Sequence, residues 1–110
     1  MTRFTVHITR RAEEDITAVL DYLLAQDAAS AAVLLWRNFE EAFASLKRYP
    51  ARGHMPPELQ DYPDKRIRET HVDVYRLIYR YFDQDVYILF IADGRRDIQD
   101  ALLERVLRFG

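Results

Sequence analysis

Six arginines and one histidine are the side chains of this sequence best suited to chemistry on an anion. Arg66, Arg68, Arg76 and Arg80 all fall at even positions through a strand-like region, His71 lies among them, and Arg95 and Arg96 follow an apolar run. Each guanidinium is a planar clamp for phosphate or carboxylate, and its pKa above about 12 makes it a poor proton shuttle near neutrality. A reaction at such a site would need a separate titrating group. His71, between Arg68 and Arg76, is the weak candidate base, although a histidine in a polar turn is more often a solvated turn residue. Tyr75, Tyr79 and Tyr81 are remoter candidates. His7 and His54 have no partner at ligand spacing and the chain has no cysteine, so no metal and no cofactor are expected. A plainer role for Arg76 and Arg80 is pairing across strands with Glu69, Asp73 or Asp85, worth about 0.2–1 kcal/mol a pair. Asp93 and Asp97 flank Arg95 and Arg96 and can engage one of them.

The whole chain limits where an anion could go. It carries 16 basic and 18 acidic side chains, a net charge of −2, so it has no global footprint for nucleic acid. Any such footprint is local: between positions 65 and 81, Lys65, Arg66, Arg68, Arg76 and Arg80 outweigh Glu69 and Asp73. With 110 residues, 49% of them apolar, one core and one domain over residues 1–110 are expected. The N-terminus lacks the apolar core of a signal peptide, and no run nears the ~20 apolar residues that span a bilayer. A cytoplasmic protein with no membrane partner is the expectation.

Hydrophobic periodicity supplies the elements that must hold these residues. Phe4, Val6 and Ile8 alternate with polar neighbours as in a half-buried strand. Thr9 can cap a helix over about residues 10 to 25, whose apolar stripe includes Ala12, Ile16, Val19, Leu20, Leu23 and Leu24. Asp27 reads as the N-cap of a second helix, which carries Leu35, Phe39, Ala42, Leu46 and Tyr49, with Trp36 and Phe43 widening the stripe, until Pro50 stops it. So short a link makes the pair a helical hairpin. Residues 50 to 64 hold all four prolines and read as an irregular loop. Strand patterns resume at Lys65, from Val74 to Phe82, and in the run 86 to 92, which is apolar on both faces and suits a central strand. Gly94 breaks that run, and Asp97 can cap a last helix bearing Ile98, Leu102, Val106 and Phe109. The order β-α-α-β-β-β-α predicts an α+β fold, a small antiparallel sheet covered on one face by the two-helix hairpin. The other face is expected to be partly open, with Arg76, Ile78 and Arg80 on it, joined by Arg66 and Arg68 if the register allows.

Four segments in this order, RRAEEDITAVLDYL (10 to 23), AFASLKRYPARG (42 to 53), VYRLIYRY (74 to 81) and VYILFIADGRRDI (86 to 98), resemble the RelE/ParE superfamily of type II toxin–antitoxin toxins, the plasmid-stabilisation type. The resemblance implies the same kind of fold and a growth-inhibiting protein neutralised by a cognate antitoxin. It also implies a toxin–antitoxin hetero-oligomer that reaches operator DNA only through the antitoxin. One branch, RelE-like, is a ribosome-dependent mRNA endonuclease that needs no metal. By resemblance its catalytic set maps onto Arg66, Arg68, Arg76 and Arg96, while His71 stays a weak candidate for the base on the chemical argument alone. The other, ParE-like, binds DNA gyrase, here expected through the helical hairpin or the C-terminal segment, and does no chemistry; apart from the branch, Arg76, Arg80, Arg95 and Arg96 are the candidates for binding an anion. RNA-cleaving relatives also use lysines near positions 66 and 68 and a tyrosine in the last helix. Here the lysines are arginines, the matching helix position is about Leu102, and the helix has no tyrosine. These departures lean the reading to the ParE-like side, with the nuclease and a non-toxic relic retained for antitoxin or operator binding as alternatives.

Overall fold

The computed structural model describes residues 3–109. Its elements are β1 (Thr5–Ile8), α1 (Arg10–Ala25), α2 (Ala29–Leu46), β2 (Ile67–Val72), β3 (Tyr75–Phe82), β4 (Asp85–Asp93) and α3 (Gln99–Phe109), in the expected order. Thr9 caps α1 as its type predicts: its hydroxyl accepts the Ala12 N–H at 3.3 Å and donates to the Ile88 carbonyl at 2.7 Å, which also fastens the helix start to the sheet. Asp27 does not cap α2. It sits just past the end of α1 at φ 57°, with its N–H on the Leu24 carbonyl and that of Ala28 on the Leu23 carbonyl, the paired bonds of a Schellman ending. An aspartate tolerates this left-handed conformation better than most residues, and that reverses the chain between the helices.

Strands β2, β3 and β4 form an antiparallel meander through the two-residue turns Asp73–Val74 and Asp83–Gln84, each opened by an aspartate at positive φ, 53° and 58°. The sheet is mixed, not wholly antiparallel, because β1 lies parallel to β4 in the order β1-β4-β3-β2. β4 is apolar on both faces and needs a neighbour on each edge, and the long route from β1 through both helices permits a parallel return. A bulge at Leu89 shifts the alternation within β4, since Tyr79 is opposite Ile88 while Ile78 is opposite Phe90. Val86, Ile88 and Ile91 therefore face the helical hairpin, and Leu89, Phe90 and Ala92 face the other way.

Each face of the sheet carries its own core. On one side Ala12, Ile16, Leu35, Phe39 and Phe43 of the hairpin pack on Leu77, Tyr79 and Ile88. On the other, Leu59, Ile98, Leu102 and Val106 cover Ile67, Ile78 and Leu89. The expected open face is thus covered, by α3 and by the segment 50–64, which contains the 3₁₀ turns Pro50–Arg52 and Pro57–Leu59. Ile67, Ile78, Leu89, Phe90 and Ala92 on that face would otherwise stay wet, and α3 turns Leu102 and Val106 of its amphipathic stripe onto them. Among the described residues, no helix is long and apolar enough to cross a membrane.

Candidate functional site

Period-two alternation puts Leu77 and Tyr79 of β3 against the hairpin and leaves Arg76, Ile78 and Arg80 on the α3 side. The two arginines share the face that their spacing predicts, but neither waits there unpartnered. Arg76 is 11% exposed and clamped between two carboxylates. Its Nη1 and Nη2 donate to Glu58 at 2.7 Å each, while Nε and Nη2 donate to Glu69 at 2.7 and 2.9 Å. Glu58 comes from the second 3₁₀ turn and Glu69 from β2. The bonds to Glu58, then those to Glu69, raise the Arg76 pKa still further above its ordinary value, and the Arg76 bond lowers that of Glu58 against the opposing cost of burial.

Arg80 donates from Nε to Asp64 at 2.8 Å, and Arg66 donates to the other oxygen of the same carboxylate at 2.9 Å. Arg66 also lies over the Phe82 ring, 4.6 Å from its centroid. Held first by the Arg66 side chain and further by its backbone N–H and by Arg80, against a desolvation cost, the Asp64 carboxyl falls to about 2. Arg68 does not join this group. The register sets Ile67 opposite Arg80, Glu69 opposite Ile78 and His71 opposite Arg76, so Arg68, opposite Tyr79, is on the hairpin side, where its Nε is buried without a hydrogen-bond partner. Glu69 beside Arg76 is the cross-strand pairing that the plainer role of this arginine expects, whereas Arg80 takes Asp64 and neither Asp73 nor Asp85.

Arg95 and Arg96 lie beyond β4. Arg95 is 75% exposed and folds back onto Asp93 at 2.7 Å. Arg96 is exposed and makes no ion pair among the described residues. Both rim a groove of about 690 Å³ between α1 and α3, whose apolar lining includes Val19, Tyr22, Tyr75, Ile98 and Ala101. This groove is invisible to sequence, since it exists only where two helices distant in the chain flank the same end of β4. Leu102, at the position of the missing tyrosine, is fully buried in the second core.

His71 is not in the turn but in β2, 60% exposed, with Nε2 3.5 Å from Glu69. His54 reaches the same carboxylate from the opposite oxygen at 3.4 Å. The two histidines, far apart in sequence, are thus partners in space, and the premise that His54 lacks one is corrected by the antiparallel bridge that pairs the His54 and Glu69 backbones.

The sequence model of the family described as "ParE toxin of type II toxin-antitoxin system, parDE" matches residues 6–98. The chain belongs to the ParE toxin family. That match takes in all three anion-facing groups: the Arg76 clamp, the Arg66–Asp64–Arg80 triplet and the Arg95–Arg96 rim. A solved structure described as "Chromosomal ParDE TA system from P. aeruginosa" superposes with a TM-score of 0.66 at 17% identity, covering 83% of this chain and 96% of that one. The likeness is one of fold. Comparison with curated proteins finds no match. As a ParE-family member the chain presents an arginine face that is electrically satisfied from within. A phosphate could reach Arg76 only by displacing two carboxylates that are already bonded to it.

Proposed function

We propose that this chain is the toxin half of a toxin–antitoxin pair, held silent by a cognate antitoxin, and that it arrests growth by binding DNA gyrase and not by cutting mRNA on the ribosome. One observation carries the choice between targets: Arg76 is saturated by Glu58 and Glu69. The resemblance adds that the tyrosine of RNA-cleaving relatives falls at about Leu102, which is buried here. A phosphoryl transfer needs cations aimed at the developing charge and a group able to move a proton. Among Arg66, Arg68, Arg76 and Arg96, only Arg96 is both exposed and without an ion pair, which supports a toxin that works by contact.

Two surfaces suit two protein partners. The groove between α1 and α3 offers apolar anchor sites rimmed by Arg95 and Arg96, the kind of site taken by a segment that folds on contact and carries carboxylates. That groove is the antitoxin's place in this reading. The outward side of α2 exposes Val33, Leu34 and Trp36, apolar surface that the fold itself does not use and that supports docking on a larger enzyme. Operator DNA is reached through the antitoxin, because the chain's own balance is acidic.

Inducing the chain in cells without its partner tests the reading. Filamentation with a DNA-damage response while protein synthesis continues is the expected result. Immediate translation arrest with cleaved mRNA would establish the nuclease alternative instead, and unimpaired growth would mark a relic. Co-expression of the antitoxin should rescue growth, and Ala101→Arg, an exposed change inside the groove, should abolish that rescue while leaving toxicity intact.

A further inference from the structure

The cluster around Glu69 holds more than an ion pair. His54 and His71 aim Nε2 at opposite oxygens of this one carboxylate, 3.4 Å from Oε1 and 3.5 Å from Oε2, with their rings edge to face and 5.8 Å apart. The three ligand atoms lie within 4.8 Å of one another. Both separations exceed the ~2.7–3.2 Å of a good hydrogen bond. Each is close to the roughly 3.3 Å edge of a tetrahedron whose nitrogen and oxygen ligands sit about 2.0–2.1 Å from a central ion, and because they run to different oxygens, one of the exposed imidazoles turns inward for both to reach the same ion.

The surroundings favour a cation there. Each Glu69 oxygen spends one lone pair on Arg76 and keeps another for a ligand. Arg76 is shared with Glu58, so the two carboxylates and one guanidinium together carry a net charge of −1 towards the imidazoles. Arg76 also fixes the carboxylate in place, as the outer hydrogen bonds of metal sites do. The backbone bridge does the same for one imidazole, with the His54 N–H on the Glu69 carbonyl at 3.1 Å and the reverse bond at 2.6 Å. Glu69 is 1% exposed while both histidines are 60% exposed, so the third ligand is held rigidly under two that face solvent and leave an entry path.

We propose that His54, Glu69 and His71 form a binding site for one divalent transition-metal ion of the zinc class, with its remaining position open to water. Two imidazoles and one carboxylate suit zinc, nickel or copper and not magnesium or calcium. The ion ties the segment 50–64 to β2.

Zinc titrated into the untagged protein, followed by calorimetry and by thermal melting, tests it. The expected result is one equivalent bound per chain with a raised melting temperature, and no comparable response to magnesium. His54→Ala and His71→Ala, both at exposed positions, should each weaken binding by at least ~10-fold, the low end of what outer-shell losses alone cost. His7→Ala removes the remaining histidine, which pairs with Asp85 elsewhere on the surface, and should change nothing. Absence of saturable zinc binding would overturn the proposal. So would binding that survives the His54→Ala/His71→Ala double change, or that His7→Ala removes.

Discussion

Arg76 is held in place by its neighbours more than by its strand. Glu69 is buried beside it, and a buried carboxylate without a counter-ion is expensive, so Arg76→Ala should destabilise the protein by about 3–5 kcal/mol. Arg76→Met combined with Glu69→Leu and Glu58→Gln should recover most of that loss, because neither carboxylate that Arg76 neutralises is then left as an unpaired charge. Urea midpoints of the two variants check this, and equal destabilisation in both would contradict it. The same pairs set an acid limit. Glu58 and Asp64 have folded pKa values below their ordinary 4.5 and 3.8, so their stabilisation is complete above those values and is lost as pH falls through the lowered ones, for Asp64 at about 2. Urea midpoints should therefore hold level down to about pH 5 and then fall, with Glu58→Gln removing part of the fall. Alternation alone placed Arg76 and Arg80 on one face. Their partners, and the side taken by Arg68, depend on the β2–β3 register, which no local pattern reveals and which sends Arg68 to the opposite side.

Among the elements, the segment 50–64 changes most between sequence and structure. Its prolines and polar residues read as an irregular loop, yet Leu59 is fully buried and Glu58 and His54 reach the sheet. What pins it is Tyr79, whose hydroxyl donates to the Pro50 carbonyl and accepts the Gly53 N–H at 3.2 Å. Gly53 is required by this close approach: a Cβ there would lie 2.5 Å from the Tyr79 oxygen and 2.6 Å from the Glu69 carbonyl oxygen. Gly53→Ala should cost about 1–3 kcal/mol through overpacking, and Tyr79→Phe a similar amount by leaving two polar groups unpaired. Thermal denaturation measures both, and a neutral Gly53→Ala would show that the contact yields. The regular elements were legible where a strong period coincided with a cap, as in α1 from Thr9 onward. Asp27 ends α1 and does not start α2 because the same residue type serves at both ends of a helix, and the parallel β1–β4 pair is hidden because strand order is a property of the whole sheet.

For the whole molecule, the legible part is the layering and the hidden part is the second cover. Period and order were enough for a sheet beneath a helical hairpin. That α3 closes the other face follows from the apolar surface of Ile67, Ile78 and Leu89, which becomes contiguous only after the strands pair. Closing that face turns a basic segment into one neutralised by Glu58, Glu69 and Asp64, and leaves the α1–α3 groove and the outer side of α2 as the surfaces available to other proteins. Inhibition by contact with a protein target is what these surfaces predict, and a supercoiling assay with purified gyrase, relaxed plasmid and the purified chain measures it. Dose-dependent loss of supercoiling, unchanged by the exposed substitution Arg96→Ala and reversed by the antitoxin, is the predicted result. Full gyrase activity at every dose, with mRNA cut on programmed ribosomes by the same preparation, would contradict it.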